Sequence, residues 1–406
     1  MGVGGKPPAP FASSTQGSDV SILEVPPPAF MADEEIRIFS DSVGKFFDEH
    51  APPERTAKWR ADGMVERAFW KEAGEAGLLG VSVPEEYGGA GGDFRHDLVV
   101  FDQATRKDVS GFSVSLHNGI IVPYVVAHGT QEQKQRWLPS LCNGDMVSAI
   151  AMSEPSVGSD LQNIRTTAVK DGNGYRINGA KTFISHGQLA NFIVVVAKTD
   201  PNEKAKGISL LVVDTDKAEG FRRGRKLDKI GNDAADTSEL FFDDVWVPAD
   251  HLLGLEEGQG FRQLMTELPR ERLVIAIDAI TGIEMALETT LDYVKSRKVF
   301  GQPILGYQNT QFKLADLKTQ AAAAKTFVNY CIELLFKGEL TTTQASMAKM
   351  LATELQGKVI DECLQFHGGY GYMEEYPIAR MFRDARVTRI YGGSNEILRM
   401  LIARSL

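Results

Sequence analysis

The octapeptide Ser153-Glu154-Pro155-Ser156-Val157-Gly158-Ser159-Asp160 is the most informative stretch of this 406-residue chain. Proline fixes one turn, glycine permits another, and hydroxyls stand around both. Such a loop can aim backbone N–H groups and hydroxyls at one flat, polar ligand. Taken alone it also suits an ordinary connection into a run of β-branched residues. A second candidate is Glu271, within Leu268-Pro269-Arg270-Glu271-Arg272-Leu273. Taken alone, a glutamate between two arginines reads as a solvated charge cluster. Pro269 makes the position unusual: it removes a backbone donor, leaves the carbonyl of Met265 without its usual partner and predicts a local bend.

Other reaction machinery is missing. There is no G-x-S-x-G elbow, and Gly2-Val3-Gly4-Gly5-Lys6 lacks the spacing and hydroxyl of a phosphate-binding loop. The seven histidines are scattered, with no H-E-x-x-H and no Cys/His cluster, so no metal site is expected. His186 and His367 fall in loops, where a single local hydrogen bond is the ordinary role. Cys142, Cys331 and Cys363 stand far apart, which argues against a disulfide framework and suits a reducing compartment.

The elements that must position these residues change texture twice. Residues 1–30 hold six prolines and few aromatics and are expected to form a flexible or loosely draped extension. From Asp33 the pattern is helical, with Ile36, Ile38, Phe39, Val43, Phe46 and Phe47 tracing one face. Thr130 with Gln133 makes a capping box for the segment carrying Trp137 and Leu138. Beyond residue 148, strands are expected over 166–169, 175–177, 181–184, 192–197, 208–213 and 238–247. Turns such as Asp171-Gly172-Asn173-Gly174 separate them, which suggests a small barrel or sandwich. The helical period returns at Phe261. Helices, strands, then helices make an α+β chain and disfavour a βαβ dinucleotide fold.

A chain this long buries substantial cores and is expected to hold two or three domains. Its 44 basic and 54 acidic residues give a net charge of -10, without a long basic run. Neither nucleic acid nor an anionic membrane is therefore expected as a principal partner. No apolar run approaches the roughly 18 residues that cross a bilayer. The N-terminus lacks a secretory apolar core and has no arginine before Arg37. A soluble, cytoplasmic, prokaryotic protein is the expectation.

Five blocks converge on one family. They are Ala151-Met152-Ser153-Glu154-Pro155 through Asp160, Asn178-Gly179-Ala180-Lys181-Thr182-Phe183-Ile184-Ser185, and Asp236-Thr237-Ser238-Glu239-Leu240-Phe241-Phe242 with Val247-Pro248. The fourth is Arg297-Lys298-Val299-Phe300-Gly301 with Gln308; the fifth runs from Gln365-Phe366-His367-Gly368-Gly369 to Tyr391-Gly392-Gly393-Ser394-Asn395-Glu396. Together they resemble the acyl-CoA dehydrogenases, in particular the long-chain branch, over roughly residues 33–404.

That resemblance implies an N-terminal helical domain (31–148), a central β-barrel (149–252) and a C-terminal four-helix bundle (253–406) behind the extension. The implied cofactor is FAD. Met152, Ser153, Gly158, Ser159, Phe183, Ile184 and Ser185 would meet the flavin ring and ribityl chain, with Ser394 and Glu396 also on the cofactor. Phe183 taken alone would be a strand residue packing into a barrel. Arg297, Phe300, Gln308, Gln365, Gly368 and Gly369 resemble the grip that a neighbouring subunit places on pyrophosphate and adenosine, which implies a homotetramer built as a dimer of dimers. Taken alone, Gly368-Gly369 reads as a helix cap and Arg297 as a surface residue.

The family's reaction makes a trans-2,3 double bond beside a thioester and needs a carboxylate base for the α-proton. In its short- and medium-chain members the base follows the tyrosine of the last block, and here that place is Gly392. In long-chain and isovaleryl-type members the base stands on the first long C-terminal helix, and Glu271 matches it. The resemblance therefore implies Glu271 as base, the N–H of Gly392 as a donor to the thioester oxygen, and Ser159, Arg272 and Gly393 as substrate contacts. The implied partners are an acyl-CoA and an electron-transferring flavoprotein. An acyl-CoA oxidase or flavin monooxygenase on the same fold, or a non-catalytic acyl-CoA-binding protein, are the alternatives.

Overall fold

The computed structural model describes residues 21–406. Most of the expected extension, residues 1–20, lies outside them. Residues 21–30 are held down: Leu23 is buried, Glu24 pairs with Lys318 at 2.8 Å, and the Phe30 and Phe336 rings lie 5.0 Å apart. Leu23→Ala is expected to cost about 2–5 kcal/mol, the range for a buried leucine. Urea unfolding would read this, and an unchanged midpoint would mean that the segment adds nothing to the core.

Among the described residues seven α-helices come first: α1 (Glu34–His50), α2 (Pro53–Asp62), α3 (Arg67–Glu75), α4 (Phe94–Arg106), α5 (Val114–Leu116), α6 (Val122–His128) and α7 (Gln131–Cys142). α1 buries Ile36, Val43 and Phe47 against this layer. Ile38 departs from the expected face and is 55% exposed. Two residues advance a helix by about 200°, so Ile36 and Ile38 cannot share a side. The expected capping box is present at α7, where Thr130 Oγ1 accepts the Gln133 N–H at 3.2 Å and Gln133 Oε1 accepts the Thr130 N–H at 3.0 Å.

The middle of the chain folds into one sheet of β1 (Ser148–Ala151), β2 (Thr167–Asp171), β3 (Gly174–Ser185), β4 (Phe192–Lys198), β5 (Ile208–Asp214), β6 (Phe221–Lys226) and β7 (Thr237–Pro248). The order is β1-β4-β2-β3-β7-β6, with β5 on β4. The two-residue period sends Phe192, Val194 and Val196 toward Tyr124 and Trp137 of the helical layer. The alternate residues Ile193 and Val195 pack with Leu211, Leu240 and Phe242. Side chains of β5 and β7 thus share one cluster although their strands are distant in the order, so the sheet curls over itself; this is the form the expected barrel takes. β1 and β6 escape sequence reading. β1 has only four residues, and β6 (FRRGRK) is a charged edge strand paired to β7 alone.

Five helices complete the chain: α8 (Gly260–Ser296), α9 (Gln308–Phe336), α10 (Thr342–His367), α11 (Pro377–Ala385) and α12 (Asn395–Ala403). α8, α9 and α10 join through a core including Ile283, Leu287, Val328, Ala352 and Val359, while α11 and α12 pack on α10. α8 passes through Pro269 as one helix of 37 residues and runs alongside α4 and α6 as well. It is the element that reaches from the sheet into the helical core. Among the described residues no helix is long and apolar enough to cross a membrane.

Candidate active site

A cleft of about 2930 Å³ follows α8 and is walled by the curled sheet, the α4–α6 layer and the segment before α12. Met152, Ser153, Gly158, Ser159, Phe183, Ile184 and Ser185 line it, as do Glu271, Arg272, Gly392, Gly393 and Ser394. Twelve positions from four distant stretches therefore meet in one space.

Glu271 is buried, at 6% exposure, which excludes a solvated charge cluster. The three charged neighbours diverge as helical geometry requires. Arg270 reaches Asp97 at 3.7 Å and covers the Phe94 ring, whereas Arg272 turns to Ser346, with Nη1–Oγ at 3.2 Å. The Tyr124 hydroxyl, on α6 and fully buried, donates to Glu271 Oε1 at 2.6 Å. Burial is the main reason that the Glu271 carboxyl is pushed up to about 7; the Tyr124 bond and Arg272 oppose the rise and Glu267 adds to it. Burial and Glu271 also hold the Tyr124 phenol well above its ordinary value, so it remains a donor. A carboxyl poised near neutrality in an apolar wall suits proton abstraction.

Gly392 has φ 65°, and a Cβ there would lie 2.3 Å from Ile275 Cδ1. Ile275 stands one turn after Glu271 on α8 and is itself buried. A side chain at position 392 would therefore sit on strained backbone and have to displace the Ile275 terminal methyl. Asp278, two turns further along α8 than Glu271, also lines the cleft and is likewise pushed up to about 7 by burial.

The loop from residue 153 to 160 is tied at its root. Glu154 and Val157 exchange two backbone hydrogen bonds, at 2.8 and 3.1 Å. Buried Glu154 accepts the N–H groups of Arg165 and Thr166 and pairs with Lys181 at 2.9 Å; Lys181 Nζ also donates to the Met152 carbonyl at 3.0 Å. The β3–β7 register slips between Lys181 and Ile184, and inside that bulge Phe183 takes φ 60° and is 70% exposed. Phe183 therefore does not pack into the sheet's core. Lys181 pins one side of the bulge, and His186 Nδ1 at 2.9 Å from the Ser148 carbonyl pins the other.

Seven expected cofactor residues do not line this cleft. Arg297 ends α8 over the Tyr370 ring, Phe300 is almost fully exposed at φ 49°, and Gln308 and Gln365 are exposed on α9 and α10. Gly368 caps α10 at φ 56°, as its local sequence suggests, and a Cβ on Gly368 or Gly369 would meet open space. Tyr293 and His367, with rings 4.3 Å apart, join the ends of α8 and α10 and bring Arg297 close to this glycine pair. Glu396 is exposed on the first turn of α12, outside the cleft. Sequence reasoning missed Tyr124, Lys181, Ile275 and Lys349. Only Tyr124 left a signal, as a lone phenol in the apolar run Val122-Pro123-Tyr124-Val125-Val126, where burial demands a partner.

Helices, a curled sheet and a helical bundle around a carboxylate-bearing cleft define the class, and comparison with known proteins agrees. Family models for the acyl-CoA dehydrogenase N-terminal, middle and C-terminal domains match residues 33–145, 149–245 and 258–406. The mouse mitochondrial long-chain specific acyl-CoA dehydrogenase (Mus musculus) is 44% identical across 98% of this chain and 94% of its own length. The crystal structure of an acyl-CoA dehydrogenase from Geobacillus kaustophilus superposes with a TM-score of 0.89, at 47% identity over 92% of this chain and 98% of that one. A glutaryl-CoA dehydrogenase from Mycobacterium smegmatis, solved in complex with FADH2, gives 0.86 at 28% identity over 95% of this chain and 98% of its own. The chain belongs to the acyl-CoA dehydrogenase family.

Proposed function

We propose that this enzyme removes the α-proton of an acyl-CoA through Glu271 and delivers the β-hydrogen to FAD, giving the trans-2-enoyl-CoA. The observation that carries this reading is the buried Glu271 carboxyl, raised to about 7 and hydrogen-bonded to Tyr124, facing a cleft beside a glycine that offers no side-chain base. Tyr124 occupies Oε1, and among the described residues Oε2 has no protein hydrogen bond, so Oε2 is the atom that takes the proton. The Gly392 N–H would steady the thioester oxygen as negative charge develops, a contribution of about 3 kcal/mol in favourable sites. Arg272, Ser159 and Gly393 would orient the coenzyme A portion.

FAD is the cofactor, and the residues present fit it. Phe183 offers an apolar plate thrown clear of its strand, next to the hydroxyls and backbone donors of Ser153, Ser159 and Ser185. Met152, Gly158, Ile184 and Ser394 complete that wall. Bound FAD supplies the two-electron acceptor for the β-hydride. Arg297, Phe300, Gln308, Gln365, Gly368 and Gly369 are exposed away from the cleft, which supports their serving a second copy of the chain in a dimer of dimers. Glu396 has no evident place in this reading. An electron-transferring flavoprotein is the proposed acceptor, and oxygen uptake matching turnover would instead mark an oxidase.

The base has a pH signature. Glu271 is active only when ionised, so flavin bleaching by a saturated acyl-CoA under anaerobic conditions is expected to quicken as pH rises through about 7. A rate that is flat across this range would remove Glu271 from the step.

A further inference from the structure

Lys349 has no task in the chemistry described so far. It lies on α10 with its side chain fully buried, and among the described residues no carboxylate comes within ion-pair distance of it. Keeping an ammonium there is costly, so its contacts are informative. Nζ donates to the Gly393 carbonyl at 2.9 Å and to Asn395 Oδ1 at 3.0 Å. The Asn395 amide is oriented for this, since its Nδ2 donates to Thr353 Oγ1 at 3.1 Å and Glu354 Oε1 at 3.0 Å. Gly392 and Gly393 both sit in the left-handed region, at φ 65° and 86°, and have no side chains with which to anchor themselves. A Cβ at Gly392 would lie 4.0 Å from Lys349 Cε, and one at Gly393 would lie 3.9 Å from Arg272 Nη2. Two cations thus converge on one bend of backbone.

We propose that Lys349 is a positioning residue for proton abstraction: its ammonium holds the Gly392–Gly393 bend so that the Gly392 N–H meets the thioester oxygen, and its charge eases the build-up of negative charge there. The inference rests on Glu271 being the base. In this step the α C–H bond breaks, the proton passes to Glu271 Oε2, and the electron pair delocalises onto the thioester oxygen. No oxidant is involved.

The groups facing Lys349 are Arg272 from α8, Glu354 on α10 and Glu396 on α12. Burial first, then Arg272, pulls the ammonium down to about 8, while Glu354 and Glu396 resist. Lys349 is therefore charged at neutral pH and loses its proton above about 8, whereas Glu271 ionises near about 7. Abstraction needs the first protonated and the second not.

The test uses the FAD-loaded protein and 3-thiadecanoyl-CoA, whose sulfur replaces the β-methylene so that no hydride can leave. Exchange of its α-hydrogens in heavy water, read by mass spectrometry, isolates the proton step. The wild type is expected to show a bell, rising through about 7 and falling above about 8. Lys349→Met is expected to lose the falling limb and to exchange about tenfold to a hundredfold more slowly. Its affinity for the analogue should stay within about threefold and its unfolding temperature should not drop. Exchange in Lys349→Met close to the wild-type rate would overturn the proposal. So would a wild-type rate that does not fall between about pH 8 and about pH 10, an arm that needs no variant to fold. Glu271→Gln serves as a separate control: undiminished exchange there would sink the base assignment and leave the Lys349 geometry to be explained otherwise.

Discussion

Glu271→Gln is expected to slow acyl-CoA turnover by about 10²–10⁴-fold, the span for loss of a positioned general base. Glutamine keeps the shape, and its carbonyl can still accept the Tyr124 hydroxyl, so the cleft and the affinity for thioester should survive. The same change has a second, opposite effect on stability. A carboxyl whose folded value is about 7, against an ordinary 4.5, destabilises the folded state once it must ionise. That penalty is absent below about pH 4.5, grows through the interval and is complete above about 7, where it amounts to about 3 kcal/mol. Glu271→Gln should therefore unfold at a higher temperature than wild type at about pH 8 and at a similar one at about pH 4.5. A variant that is slower and also less stable at both would indicate a collapsed site and not a missing base. Stability given up at a working carboxyl is a common trade in enzymes.

Moving the base across the cleft should fail for a nameable reason. In Glu271→Gln/Gly392→Glu the new carboxylate would have to start from a Cβ lying 2.3 Å from Ile275 Cδ1, on a backbone at φ 65°. Both conflicts bear on the bend that carries the Gly392 N–H, so activity is expected to remain at or below that of Glu271→Gln alone. Adding Ile275→Ala removes the contact though not the backbone strain, and should recover part of the lost rate. If the double variant regained wild-type turnover without the third change, the steric account of Gly392 would be wrong.

The sequence carried the reading of local features well and of distant ones poorly. The α7 cap needs only residues 130–133 and was legible; so were β4 and β5, whose unbroken apolar runs reflect burial on both faces. Glu271 stands out only through the family resemblance, which offers two places for the base and finds a glycine, Gly392, at the other. The shell around Glu271 is another matter. Tyr124 lies 147 positions away in the chain, and Lys181 reaches Glu154 across 27. Such pairs follow from how α6 and α8 cross and from how the sheet curls, and no periodicity records that. Ile38 and β6 failed for opposite reasons. Ile38 is apolar and close in sequence to a buried face but lies off it in angle, and β6 offers no alternation because it runs along a solvated edge.

The claim on which the account depends is that Glu271 performs the deprotonation. Anaerobic rapid mixing of wild type and Glu271→Gln, each loaded with FAD, with the same saturated acyl-CoA tests it most directly. Wild-type flavin absorbance should bleach quickly, while the variant should bind the thioester with similar affinity and bleach at least about a hundredfold more slowly. Equal bleaching rates in the two proteins would contradict the account and require another residue as the base.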